Sequence, residues 1–131
     1  MTKCVKSGSA TLNQKKSPDA DNPVTNNLFA HIPDISDDEY FENILQTKSF
    51  SLEKIVSEGH ATPHDTWLCQ DRHEWVLLIK GEAQLQFKHN KAMYTLHPGD
   101  HLLIPAHTYH RVVWTQPGMK TFWLALHYDE E

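Results

Sequence analysis

From Phe50 onward, apolar and polar residues alternate with a period of two. Phe50-Ser51-Leu52-Glu53-Lys54-Ile55-Val56 opens the pattern as a strand. Thr66–Cys69, Glu74–Ile79, Ala83–Phe87, Ala92–Leu96, His101–Ile104, Arg111–Thr115 and Thr121–Tyr128 continue it. Turn signals separate most of these segments: Lys80-Gly81, His89-Asn90, Pro98-Gly99-Asp100 and Gln116-Pro117-Gly118. Eight short strands with no helical period among them predict an all-β domain, a sandwich or a barrel closed mainly by antiparallel pairing.

Upstream the pattern differs. Residues 1–26 hold few large apolar side chains among Lys, Ser, Asn, Asp and Pro, too few to offset their ordering entropy, so a disordered tail is expected there. Leu28, Phe29, Ile32 and Ile35 form a short apolar stretch suited to lying across the folded body. Ser36-Asp37-Asp38-Glu39 then reads as a capping box, with Tyr40, Phe41, Ile44 and Leu45 at helical spacing behind it. One short N-terminal helix is predicted. Residues 27–131 are expected to form a single domain.

Parity assigns faces within the strands. Glu74, Val76, Leu78 and Lys80 share one side, and Trp75, Leu77 and Ile79 share the other. Both sides are mostly apolar, so one is expected to line an interior and the other to meet a second layer or a second copy of the chain. A homodimer is the expected assembly.

Composition narrows the class. Twelve Lys and Arg against 17 Asp and Glu give a net charge of −5, without the basic patch of a nucleic-acid binder. No apolar run is long enough to span a membrane, and the N-terminus lacks the apolar core of a secretion signal. Cys4 and Cys69 are too few for a disulfide framework and are expected as reduced thiols, in a cytoplasmic protein. Histidine is the unusual residue. Nine of the ten lie between His60 and His127, a density that points to a metal or acid–base site.

The most specific string is Pro98-Gly99-Asp100-His101-Leu102-Leu103-Ile104-Pro105-Ala106-His107-Thr108-Tyr109-His110-Arg111-Val112. With Glu74-Trp75-Val76-Leu77-Leu78-Ile79-Lys80-Gly81 before it, it resembles the paired motifs of the cupin superfamily, small single-domain bacterial type. Gly99, Pro105 and His110 match the second motif, G-x5-P-x-G-x2-H-x3-N, while His107 replaces its third fixed residue, a Gly, and Trp114 its Asn. Glu74 and Gly81 match the end of the first motif, G-x5-H-x-H-x3–4-E-x6-G, whose H-x-H pair is missing. The resemblance covers residues 50–128 and implies a jelly-roll β-barrel.

It further implies a pocket at the barrel mouth, with Glu74 and His110 as ligands for a divalent transition metal (Fe, Mn, Ni or Zn). The positions of the missing histidines fall on Leu68 and Gln70, or on Trp67 and Cys69, depending on the spacer. Gln70 shares parity with Glu74 and carries an amide oxygen. His107 either turns inward to complete the set Gln70, Glu74, His107 and His110 or packs in its loop. The roles of His60, His64 and His73 stay open, and His89, His97, His101 and His127 read as surface or structural. Trp67, Val76, Leu78, Tyr109, Val112 and Trp114 are expected to wall the pocket for a small organic ligand. Two functions follow: binding or turnover of that ligand at a metal, or metal-free ligand binding and regulation.

Overall fold

The computed structural model describes residues 22–35 and 37–130, and these contain eight strands and no helix. The strands are β1 (Tyr40–Gln46), β2 (Phe50–Ser57), β3 (His73–Lys80), β4 (Ala83–Phe87), β5 (Met93–Leu96), β6 (His101–Ile104), β7 (His110–Thr115) and β8 (Thr121–Tyr128). They form a five-stranded sheet of order β1-β2-β8-β3-β6 and a three-stranded sheet of order β5-β4-β7, all pairs antiparallel. Two antiparallel sheets joined by these crossovers make a jelly roll.

The facing sides of the sheets enclose the main core: Val76 and Leu78 of β3, Ala83, Leu85 and Phe87 of β4, Leu96, Ile104, and Trp123 and Ala125 of β8. Leu78 is wholly buried, and removing such a side chain from water is worth about 1.5–3 kcal/mol. Gly81 permits the sharp β3–β4 connection. Its φ is +96°, and an added Cβ would lie 2.3 Å from Thr121 Oγ1, so no other residue fits.

Two sequence expectations change here. The predicted helix is strand β1, and its starting Ser36 lies outside the described residues. Phe41 and Asn43 pair with Ile55 and Glu53, and the register then shifts between Asn43 and Leu45. The extra residue, Ile44, breaks the period of two and leaves apolar spacings that imitate a helix turn. Thr66–Cys69 is not a strand. It contributes one bridge, Leu68 to His110, which still ties this loop to the start of β7. The disordered tail expected over residues 1–26 lies outside the described residues up to residue 21, and 22–26 carry no regular structure.

The apolar stretch from Leu28 to Ile35 crosses the outer side of the five-stranded sheet. Ile35 packs with Val56 and Phe122, and Phe29 sets its ring edge-on against Phe122 at 4.9 Å. Lys54 beneath it is buried. Its ammonium donates to the Leu28 carbonyl at 3.0 Å and meets Glu42 Oε1 at 3.4 Å.

Candidate functional site

A cavity of about 240 Å³ opens between the sheets. Its walls include Phe41 of β1, Ile55 of β2, Val76 of β3, Val112 of β7 and Trp123 of β8, and its polar residues include Glu39, Glu74 and His110. Alternation aims Glu74 inward beside Val76 and Leu78, as parity predicted. His110 comes from the facing sheet. It is the first residue of β7, held in place by reciprocal backbone bonds with Leu68.

Four buried ionisable groups meet there. Glu74 Oε1 lies 3.7 Å from His110 Nε2, and Glu74 Oε2 lies 3.9 Å from His127 Nε2. His127 Nε2 also bonds Glu53 Oε1 at 3.1 Å. The Gln70 amide donates to Glu74 Oε1 at 2.5 Å. Carbonyls only accept, so the His110 Nδ1 that sits 2.9 Å from the Thr108 carbonyl carries the proton. In the neutral ring Nε2 is then the lone-pair nitrogen, and it faces Glu74.

Burial decides who is charged. Desolvation pushes the Glu74 carboxyl up to about 7, with Glu53 adding to it and with His127 and the Gln70 hydrogen bond opposing it. Desolvation also holds His110 below the ordinary imidazole value, and the nearby His127 pushes the same way. His127 goes the other way. Burial disfavours its charge, yet the hydrogen bond to Glu53 and the charges of Glu74 and Glu53 raise it above the usual value.

The structure brings Gln70, Glu74 and His110 together and leaves His107 apart. His107 has a φ of +62° and a side chain 72% exposed, its Nδ1 3.8 Å from Asp71 Oδ1. Of the expected wall residues, Val76 and Val112 line the cavity, and Leu78 is packed in the core beside it. Trp67, Tyr109 and Trp114 do not line it. Lys88 lies over the Trp67 and Tyr109 rings, at 5.9 and 5.2 Å. Trp114 pairs with Gln84 because the β4–β7 register shifts between Gln84 and Leu85, so Val113 is an extra residue and parity beyond it inverts.

Phe41 and Trp123 are aromatic walls the expected set lacked, and Glu39, Glu53 and His127 are polar members it lacked. His127 shares parity with Trp123 and Ala125, and Glu53 with Ile55, so the signal was the alternation itself. Of the open histidines, His73 Nδ1 accepts the Ala106 amide, His60 Nδ1 accepts the Glu58 amide, and His64 lies exposed beside Asp65. Cys69 is buried, and Cys4 lies outside the described residues.

Among the described residues no group of three or more His, Cys, Asp or Glu is arranged to hold a metal ion. Glu74 and His110 supply two donors, His127 is engaged by Glu53, and the Gln70 amide is spent on Glu74. That donor set does not fit a metal held by four protein ligands.

Solved structures share the fold. A protein of Ralstonia eutropha JMP134, provisionally named a mannose-6-phosphate isomerase, is 40% identical, with a TM-score of 0.78 over 82% of this chain and 100% of that one. A cupin superfamily protein of Desulfitobacterium hafniense DCB-2 is 15% identical, with a TM-score of 0.67 over 89% of this chain and 99% of that one. The cupin domain of Schizosaccharomyces pombe Cnp3 is 11% identical, with a TM-score of 0.67 over 86% of this chain and 78% of that one. No family model and no curated protein matches the sequence. The chain belongs to the cupin superfamily. No helix among the described residues is long and apolar enough to cross a membrane.

Proposed function

We propose that this cupin binds a small, mostly apolar organic molecule in its barrel cavity and presents the Glu74–His110 pair to it as a proton donor and acceptor, without a stoichiometric metal. The observation that carries this reading is the pair itself. A carboxyl held up at about 7 faces the lone-pair nitrogen of an imidazole held neutral, inside an apolar cavity. Near neutral pH the carboxyl can then hold a proton while the imidazole facing it offers a lone pair. Glu74 can lend its proton to a bound carbonyl, leaving a carboxylate whose other oxygen lies 3.9 Å from His127 Nε2, and His110 Nε2 can accept a proton from a bound hydroxyl.

The name of the Ralstonia relative would bring a phosphorylated sugar to this cavity. The lining argues against that, since no Lys or Arg contributes to it.

A metal-bound form is the second reading, favoured by one observation: His110 Nδ1 is fixed on a carbonyl and Nε2 is turned toward Glu74, as in an oriented metal ligand. Elemental analysis of protein purified without an affinity tag, followed by exhaustive chelation and thermal denaturation, separates the two. The expected result is no stoichiometric metal and an unchanged melting curve. One bound metal per chain with a melting temperature that drops on chelation would overturn the metal-free reading.

We further propose a homodimer through the outer side of the five-stranded sheet, where Leu103 is 45% exposed beside half-buried Trp75, Leu77 and Leu126. Sedimentation velocity at micromolar concentration is expected to show a dimer, and a lone 15.1 kDa species would reject it.

A further inference from the structure

The charge of the cavity's occupant can be read from its two ends. Glu74 pairs with His127 near the end of β8, whereas Ser57 pairs with Thr121 at that strand's beginning. Ser57 in turn holds a second carboxyl of the lining, Glu39. The cavity therefore runs between two carboxyls at opposite ends of the sheet.

Glu39 is a built position. Trp123 Nε1 only donates, so at 3.3 Å from Ser57 Oγ it occupies the acceptor side of that hydroxyl. The Ser57 proton is thereby committed to Glu39 Oε2, with which it makes a short hydrogen bond. Ser57 is wholly buried, and Trp123 is 4% exposed, so neither can wander. Desolvation at the same time pushes the Glu39 carboxyl above its usual range, against the opposing pull of the Ser57 bond and of His60. A cation arriving there would relieve that cost.

Between the carboxyls the wall is aromatic and aliphatic, with Phe41 and Trp123 on it. An anion entering would meet no Lys or Arg, and the one imidazole in the lining, His110, is held neutral by burial. A cation would meet a carboxyl at either end and aromatic faces between them. We infer that the cavity takes a small organic cation, an ammonium-type group on an apolar body, with its charge set against Glu39. This rests on the small-molecule reading above and adds the chemical class of the ligand.

Three probes of one shape and three charges test it on the full chain near neutral pH: benzylamine (protonated), benzyl alcohol (neutral) and benzoate. Binding is followed by NMR shift perturbation of the Trp123 indole and by calorimetry. Benzylamine is expected to bind at least tenfold more tightly than benzyl alcohol, and benzoate not to saturate. Glu39→Gln should bring benzylamine down to the level at which benzyl alcohol binds the same variant. Ser57→Ala, which keeps the carboxyl but frees it, should lose part of the preference and covers the case in which the first variant does not fold.

Benzyl alcohol or benzoate binding as well as benzylamine would overturn the cation inference and leave the cavity reading standing. A benzylamine preference that survives both substitutions would place the cation elsewhere and overturn it equally. Failure of all three probes to shift Trp123 would overturn both.

Discussion

Two carboxyl–imidazole pairs lie side by side in this barrel, and they resolve the same conflict in opposite ways. Glu53 and His127 stand 3.1 Å apart in direct hydrogen-bond contact, and His127 is driven toward its charged form. Glu74 and His110 stand 3.7 Å apart, and burial drives both toward neutrality. All four residues are at most 7% exposed, so depth does not separate the pairs. The hydrogen bond does. Where the imidazole Nε2–H reaches an oxygen at bonding distance, the ion pair offsets its own desolvation; where the gap is wider, the proton goes to the carboxyl. The first pair behaves as a structural pin, and the second sets a carboxyl of raised proton affinity at the cavity wall.

The sharpest way to break this contrast is to remove the pin. His127→Leu would leave Glu53 buried without its counter-charge, and about 3–5 kcal/mol of stability should be lost. Urea denaturation measures it, and a loss under about 1 kcal/mol would mean that the ion pair is not formed.

The pH profile should show the next largest effect. The Glu74 carboxyl binds its proton near 7 in the folded chain against 4.5 in an ordinary setting, so the folded state holds the extra proton between those values. Stability from this group is therefore full below pH 4.5 and falls as pH rises to 7, by about 3 kcal/mol. The raised His127 adds a decline in the same direction above its ordinary value, and the lowered His110 opposes it at acid pH. Glu74→Gln should flatten the profile between pH 4.5 and 7. Parallel curves for the two proteins would remove Glu74 as the titrating group.

His110→Ala should cost less, about 1–3 kcal/mol, because its partner can stay protonated when the imidazole is gone. A loss as large as that of His127→Leu would erase the distinction between the pairs. Smallest of all is Gln70→Leu, which deletes a hydrogen bond to the charged form of Glu74. A carbon-13 carboxyl titration should then move Glu74 further upward, and a downward move would show that the amide faces it with its oxygen.

The strands of the barrel were legible wherever alternation ran uninterrupted. Ala83–Phe87, His101–Ile104 and Thr121–Tyr128 fall where the pattern puts them, and the inward aim of Glu74 follows from counting by two. Two of the reversals of expectation occur at irregularities of register. Ile44 turned a strand into an apparent helix, and Val113 turned Trp114 away from the cavity. A single inserted residue leaves no mark in composition, yet it inverts every side chain beyond it.

The site was legible in part for a different reason. Glu74 and His110 sit in recognisable strings, whereas Glu53 and His127 become neighbours only through the β2–β8 pairing, which puts residues distant in the chain on one floor. Glu39 was hidden twice, by its place in an assumed capping box and by a hydrogen bond to a serine far along the chain.

Lys54 carries one more consequence. Its amine is capped by the Leu28 carbonyl and covered by the segment that ends at Ile35. Acylating reagents attack only an accessible, deprotonated amine, so this lysine should react far more slowly than exposed Lys48 or Lys91. Its residual rate would then count how often that segment lifts from the sheet. The chain thus contains a chemical clock for its own local opening, readable by mass spectrometry residue by residue.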